Sequence, residues 1–351
     1  MTPDVTSVRF FDPAKGYFKI KPEMDAVIQD VLARGDLVLR GDLEDFERNL
    51  AAYTGKKHAI GVNSGTDALY LSLWALGIGV GDEVIVPSHT FVATVQVVEQ
   101  LGATPVLIDC NDDLLMQHTI QRTTRTKAIM PVHLTGDVVR PYTGFADDMK
   151  KWGIHVIEDA AQALGAQGVG YGITQCYSFY PAKILGAYGD AGAITTDDDE
   201  LAEELRNLRH HYKKDYSKWG INSRLDNLQA AVLNVKLKYL GESQLRRAQI
   251  AYKYRDAFKD ITDLRLPEYS EGRVWQDYVI RFTSANQRDS AYTWLKNCGI
   301  ETMKNEYPFP IPKLPNSLKI EAETLRIPCN DVLDDDEVEY VIKNVRSFFA
   351  L

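Results

Sequence analysis

The sequence predicts an α/β fold: a mostly parallel central sheet covered by helices, with a smaller C-terminal α+β domain. Three observations carry this. Between about residues 58 and 195, short runs rich in Val and Ile alternate with amphipathic stretches, the pattern of a sheet buried on both faces. After Thr196 the periodicity becomes helical, and near the C-terminus a few strand-like runs return between helices.

The predicted strands lie in HAIGV (58–62), EVIVPS (83–88), TPVLIDC (104–110), KAIMPVHL (127–134), IHVIEDA (154–160), CYSFY (176–180) and AGAITT (191–196). TDALYLSLWALG and FVATVQVVEQLG supply helices between the first three. Helices are then expected over residues 198–214, from Arg224 through Tyr239, and over 242–258. WQDYVIRF and the terminal DDDEVEYVIKNVRSFF read as a strand and a helix of the smaller unit. The boundary falls near residue 240, giving a large unit of residues 1–240 and a small one of 241–351.

Bulk composition narrows the function. The 351 residues are 45% hydrophobic and 25% charged, as in a globular protein with a substantial core. A formal charge of −9 argues against nucleic acid or anionic membrane as partner, because phosphate backbones and acidic lipids need clustered Lys and Arg. No signal peptide and no membrane-length apolar run is readable, so a cytoplasmic protein is expected. Cys110, Cys176, Cys298 and Cys329 lack the close spacing of a metal site and read as reduced thiols. The adjacent His210 and His211 fit a solvated helix better than a metal centre.

Four stretches carry chemistry. NSGTDAL (63–69) follows a strand and opens a helix, so the N–H groups of Gly65 and Thr66 and the Thr66 hydroxyl can face an anion such as phosphate. Taken alone, the stretch reads as an ordinary N-cap. IHVIEDAAQALGA (154–166) ends a strand with Glu158 and Asp159, followed by Gln162. A carboxylate at the mouth of a buried strand requires a partner, and a protonated heteroaromatic nitrogen would serve, unless Asp159 only caps the next helix. SFYPAKILGAYGDAG (178–192) sets Lys183 among apolar groups, where desolvation lowers an amine's pKa and leaves it able to condense with an aldehyde. Ser178 could contact a phosphate, and the glycines permit close approach to a flat ligand. GINSRLDNLQAA (220–231) places Asn222 and Arg224 before a helix, as caps or as a loop that completes a second subunit's pocket. An amine for an aldehyde, an acid for a pyridinium and a helix end for a phosphate are together the requirements of pyridoxal 5′-phosphate.

NSGTDAL, PSHTFVAT, PVHLTG, EDAAQALGA and SFYPAK followed by GAYGDAG resemble, in combination, the DegT/DnrJ/EryC1/StrS sugar aminotransferases. The similarity runs from about Phe11 through RLDNLQAA and resumes at LRIPCNDVLDDDEVEYVIKNV. It implies the type I aminotransferase fold, with Lys183 as the Schiff-base lysine and proton shuttle, Asp159 on the pyridinium nitrogen and Gln162 near the ring's 3-oxygen. Phe91 would stack on the ring, with His89 as a second contact. Gly65, Thr66 and Ser178 would hold the phosphate, joined by Asn222 from the partner in a homodimer. The reaction implied is transamination, from L-glutamate to a nucleotide-linked keto sugar. GDAG (189–192) resembles members that aminate C3, which points to a dTDP-3-keto-6-deoxyhexose; a UDP-3-keto uronic acid, or amination at C4, is the alternative.

Two departures from the family pattern stand out. Ile184 follows the lysine where Asn is common, and NEYPFPIPKLPNSLK (305–319) lacks the usual histidine, in a region that shapes the acceptor site in relatives. Two rival readings are a sensor that binds the cofactor or a nucleotide sugar without turnover, and a dehydratase. Lys183 disfavours both: a pure binder needs no condensing amine, and dehydratase relatives carry histidine there.

Overall fold

β-Branched side chains pack well on a pleated surface, and the Val- and Ile-rich runs do form the strands of one sheet. The computed structural model describes residues 5–117 and 120–350. In it β1 (His58–Val62), β2 (Glu83–Pro87), β3 (Thr104–Ile108), β4 (Thr126–Ile129), β5 (His155–Asp159), β6 (Thr174–Ser178) and β7 (Gly192–Thr196) form a seven-stranded sheet in the order β1-β7-β6-β5-β4-β2-β3. Pairings are parallel except those of β7, which runs antiparallel to β1 and β6. The expected mostly parallel sheet is therefore present, with one reversed strand. The reversal follows from the connection: residues 179–191 hold no helix to carry the chain back across the sheet, so it folds back alongside β6.

Alternation along the strands feeds two cores. Ile60, Val62, Val84, Val86, Ile157, Cys176 and Ile194 face the helices Gly65–Ala75, Val92–Gln100 and Asp199–Leu208. On the other face Tyr177, Phe179 and Ala193 meet Leu43, Phe46 and Leu50 of the helix Gly41–Thr54 and Leu233 of the helix Asn227–Lys238. Ile85, Ile129 and Val156 pack with Phe145 and Met149 of the helix Phe145–Trp152. Helices thus cover both faces, as the double-sided burial of each strand requires.

The small sheet comprises β8 (Leu264–Arg265), β9 (Tyr278–Phe282), β10 (Met303–Lys304) and β11 (Thr324–Ile327), antiparallel in the order β10-β11-β9-β8. Tyr278, Ile280 and Phe282 bury against Ile250, Tyr254 and Phe258 of the long helix Leu240–Phe258 and Val338, Val341 and Val345 of the helix Asp335–Phe349. A capping box starts the last helix, with Asp334 and Glu337 each closing on the other's backbone N–H. No helix among the described residues is long and apolar enough to cross a membrane.

One expectation is corrected. The helix foreseen through residue 214 stops at Leu208, and His210 instead pairs with Asn222 in an isolated bridge. Tertiary pull explains the stop. Arg209 turns inward to donate to the Gly61 carbonyl at 2.7 Å and to pair with Glu47, while Ile221 N donates to Leu208 O at 2.8 Å, taking a carbonyl the helix would need. His211 and Tyr212 adopt left-handed backbone, with φ of 58° and 53°. The helix foreseen from Arg224 begins at Asn227, whose buried side chain accepts from Leu43 N at 2.9 Å.

The two sheets meet where Gly136 lies against the chain entering β9. Val274 N donates to Gly136 O at 3.0 Å, and a Cβ on Gly136, whose φ is +90°, would fall 1.7 Å from Val274 O. Gly136→Ala is therefore expected to lower the unfolding free energy by about 3 kcal/mol or more, measured by denaturant titration of the purified protein.

Candidate active site

The carboxyl ends of β1, β2, β5 and β6 converge on one edge of the sheet, where ligands of open α/β sheets bind. After β1 the Ser64 side chain accepts from Asp67 N at 3.1 Å and so starts the helix Gly65–Ala75. The N–H groups of that first turn have no intrahelical partner and project from its positive end. A Cβ on Gly65 would sit 2.7 Å from Ser178 Cβ, and one on Gly192 only 2.4 Å from the Ser64 carbonyl carbon. Gly65, Thr66 and Ser178 are thus drawn together around a helix end that tolerates only glycine at 65 and 192.

Asp159 ends β5 and is 5% exposed. Its Oδ2 accepts from Thr94 Oγ1 at 2.8 Å and its Oδ1 from Ala161 N at 3.2 Å, and Thr94 in turn bonds Thr90 at 2.8 Å. Burial raises its pKa, against the pull of Thr94, Ala161 and, at longer range, Lys183. The neighbouring Glu158 faces the other way. It bonds His133 at 2.9 Å and accepts from Gly170 N, Gly172 N and Gln175 Nε2. These bonds outweigh its burial and keep its pKa low. Two adjacent acids therefore differ in kind: Glu158 is satisfied, whereas Asp159 has no ion-pair partner among the described residues.

Lys183 lies in the turn after β6, its N–H donating to Tyr180 O at 2.8 Å. The residue stays partly accessible, but its amine lies deep among protein atoms. Burial lowers its pKa, opposed by the carboxylates of Asp277 and Asp159 and reinforced by Arg326. No ion pair within 4.0 Å claims it among the described residues. The shift favours the neutral amine, the form that can act as a nucleophile.

The remaining predicted residues divide. Phe91 is 56% exposed at the start of the helix Val92–Gln100, three residues before Thr94, leaving its ring free to cover a flat ligand. Gln162 Oε1 accepts from Thr135 N at 2.6 Å, and Arg273 Nη2 donates to Thr135 Oγ1 at 2.8 Å. His89 is 1% exposed and turned inward, bonded to Asn305 at 3.2 Å with its ring edge-on to Tyr307. Asn222 is exposed on its loop, and no hydrogen bond among the described residues joins it to Asp159, Ser178 or Lys183. The loop itself is fixed through Ser223, which donates to Asp67 Oδ2 at 2.6 Å and accepts from Asn63 N at 3.2 Å.

The model of the DegT/DnrJ/EryC1/StrS aminotransferase family matches residues 19–346. The chain belongs to this family. It is 38% identical to dTDP-3-amino-3,4,6-trideoxy-alpha-D-glucose transaminase of Streptomyces venezuelae, over 97% of this chain and 96% of the relative. UDP-2-acetamido-2-deoxy-3-oxo-D-glucuronate aminotransferase of Pseudomonas aeruginosa is 37% identical, over 95% and 98% of the two chains. The crystal structure of S. venezuelae DesV in complex with a ketimine intermediate superposes with a TM-score of 0.92 at 36% identity, covering 99% of this chain and 100% of that one. The type I fold expected from the motifs is that of these aminotransferases.

Within this DegT/DnrJ/EryC1/StrS chain, sequence reasoning missed Thr94, the direct partner of Asp159, although it stands in PSHTFVAT four residues after Thr90. It also missed Asp277 and Arg326, a buried pair 3.5 Å apart that acts on Lys183. Arg326 lies in β11 and Asp277 immediately before β9, and neither carries a local sequence signal.

Asp159 yields a prediction with a definite sign. A carboxylate whose folded pKa is raised weakens the fold above that pKa and not below its ordinary value near 3.9. Cofactor-free Asp159→Asn should therefore melt higher than wild type at pH 7 to 8, the gap closing as pH falls toward about 4. Differential scanning fluorimetry across pH measures this.

Proposed function

We propose that this protein is a pyridoxal phosphate-dependent aminotransferase that moves the amino group of L-glutamate to C3 of a nucleotide-linked keto sugar. The observation that carries the reading is Lys183 within electrostatic reach of the buried Asp159, with no ion pair holding either among the described residues and burial disfavouring the charged form of each. The site fits the cofactor on its own terms: a carboxylate with no ion-pair partner among the described residues, an amine whose pKa burial lowers, a glycine-lined helix end and an exposed aromatic residue. Family membership points the same way.

When bound, the cofactor supplies an aldehyde for the amine and a ring that withdraws electrons. Lys183 gives up its proton at Nζ to act as nucleophile and afterwards holds and returns a proton there. Asp159, held as acceptor by Thr94 and Ala161, would pair with a protonated ring nitrogen and keep its proton there. Gln162 is fixed through Oε1 by Thr135 N, which leaves its amide N–H groups to donate toward an oxygen on the ring. The N–H groups of Gly65 and Thr66, with the hydroxyls of Thr66 and Ser178, neutralise a phosphate at the helix end. Phe91 excludes water from one ring face.

Addition of the cofactor should give the protein a visible absorbance, L-glutamate should bleach it, and Lys183→Ala should show neither change. Lys183→Arg should fail as well, since it keeps charge without a condensing amine. Wild-type protein that stays colourless with cofactor defeats the reading. A screen of 3-keto and 4-keto nucleotide sugars with glutamate, read by the position of the new nitrogen, assigns the acceptor. The GDAG motif and the S. venezuelae relative favour a dTDP-3-keto-6-deoxyhexose; the P. aeruginosa relative favours a UDP-3-keto uronic acid as the second choice.

We further propose a homodimer in which Asn222 completes the phosphate site of its partner, with the chain dividing near residue 240 into a large cofactor-binding and a small unit. The anchoring of Asn222's loop by Ser223 supports a fixed role for it. Four free thiols, three of them buried, suit a reducing cytoplasm. Mixing inactive Lys183→Ala with impaired Asn222→Ala subunits should regenerate one intact site per mixed dimer, so glutamate bleaching rises above that of either parent. No rise places Asn222 in its own subunit's site.

A further inference from the structure

The structure assigns Gln276 as a positioning residue for Lys183. The assignment rests on the proposed role of that lysine and goes beyond it. Gln276 is 8% exposed at the entry to β9, far along the chain from residue 183. Its Oε1 accepts from Ile184 N at 3.0 Å and its Nε2 donates to Ala182 O at 3.0 Å. One side-chain amide thus holds the peptide groups on both sides of Lys183. The backbone fixes which end is which, since an N–H can only donate and a carbonyl can only accept.

The clamp is itself held. Arg247, 4% exposed on the long helix, donates through Nη1 to the carbonyls of Trp275 at 3.2 Å, Gln276 at 3.2 Å and Cys329 at 2.8 Å. Two residues before the clamp, Val274 N is fixed to Gly136 O. Neither anchor lets the Gln276 backbone drift, so the amide meets the lysine turn at a fixed point. The next residue, Asp277, carries the carboxylate that pairs with Arg326 at 3.5 Å.

Lys183 must bring Nζ to one place when it attacks and to the same place when it returns a proton. Its side chain has four rotatable bonds, so errors at Cα are amplified at the amine. The turn that carries it has no helix or strand of its own, and Ile184, where relatives often have Asn, offers the backbone no polar side-chain support. Gln276 supplies from the small sheet the rigidity the turn lacks. Displacement of a catalytic group by about 1 Å can cost up to about 100-fold in rate.

The test uses Gln276→Met, which keeps the shape and loses both bonds, and Gln276→Glu, which keeps an acceptor for Ile184 N and loses the donor to Ala182 O. In cofactor-free protein, amide exchange at Ile184, followed by mass spectrometry, should accelerate about tenfold or more in the Met variant and far less in the Glu variant. In cofactor-loaded protein the single-turnover rate of glutamate bleaching should fall about 10- to 100-fold in the Met variant and less in the Glu variant. The glutamate concentration for half-saturation should stay within about twofold. Unchanged exchange at Ile184 overturns the assignment, as does faster exchange with an unchanged bleaching rate, which would make the clamp structural only. Should the Met variant not fold, the Glu variant carries the test through its lost bond to Ala182 O, and a bleaching rate equal to that of wild type then overturns the assignment. If wild-type protein never colours with cofactor, the aminotransferase reading fails, and the exchange measurement still decides whether the clamp exists.

Discussion

The site depends on two ionisable groups, Lys183 and Asp159, that feel each other's charge and burial yet form no ion pair with each other. An isolated buried charge is expensive, and a direct Lys183–Asp159 bridge would relieve both groups at once. The fold withholds that relief. Asp159 is tied by Thr94 and Ala161, Lys183 is held in a turn of separate origin, and each shows the shift expected of a group whose charged form is disfavoured. A ligand that offers a cation to one and an electrophile to the other recovers the unspent interaction, so binding and reactivity have one source.

The surroundings explain how such a site can be stable. Glu158, next to Asp159, accepts from His133, from two glycine N–H groups and from Gln175, so the strand end carries one fully compensated acid and one exposed to demand. Gln162, Thr135 and Arg273 form a chain of hydrogen bonds beside them. Polar networks of this kind hold their geometry because any member left unpaired costs more than the bond it would lose. Around Lys183 and Asp159 these polar side chains are thereby held by partners of their own.

Features set by local sequence were legible and those set by distant contacts were not. The strands were readable from Val and Ile runs, the helix start at Gly65 from the Ser64 cap, and the chemistry from a lysine, an acid and a helix end in order. The reversal of β7 was hidden because direction depends on the connection and not on the strand's own residues. The helix end at Leu208 was hidden because Arg209 answers to Gly61 and Glu47, far earlier in the chain. Thr94 needed the fold to bring it to Asp159, and Gln276 and Asp277 needed the small sheet to reach the large one. Their residue types are common in strands and loops, so no local rule could single them out.

The segment 305–319 is fastened and not loose. Leu314 N donates to Ser88 Oγ at 2.8 Å, and Asp109 accepts from Asn316 N, Ser317 N and Ser317 Oγ, capping the helix Pro315–Glu323. Glu321 pairs with Lys313, accepts from Tyr307 N at 3.1 Å and lies 3.4 Å from His89. These bonds run to the carboxyl ends of β2 and β3, the edge on which the site is built. A segment anchored there resists displacement, because moving it would strip partners from buried Asn305, Tyr307 and Ser317. Ser88, Asp109 and His89 thus tie this segment to the ends of β2 and β3, and its shape is set by contacts made far apart in the chain.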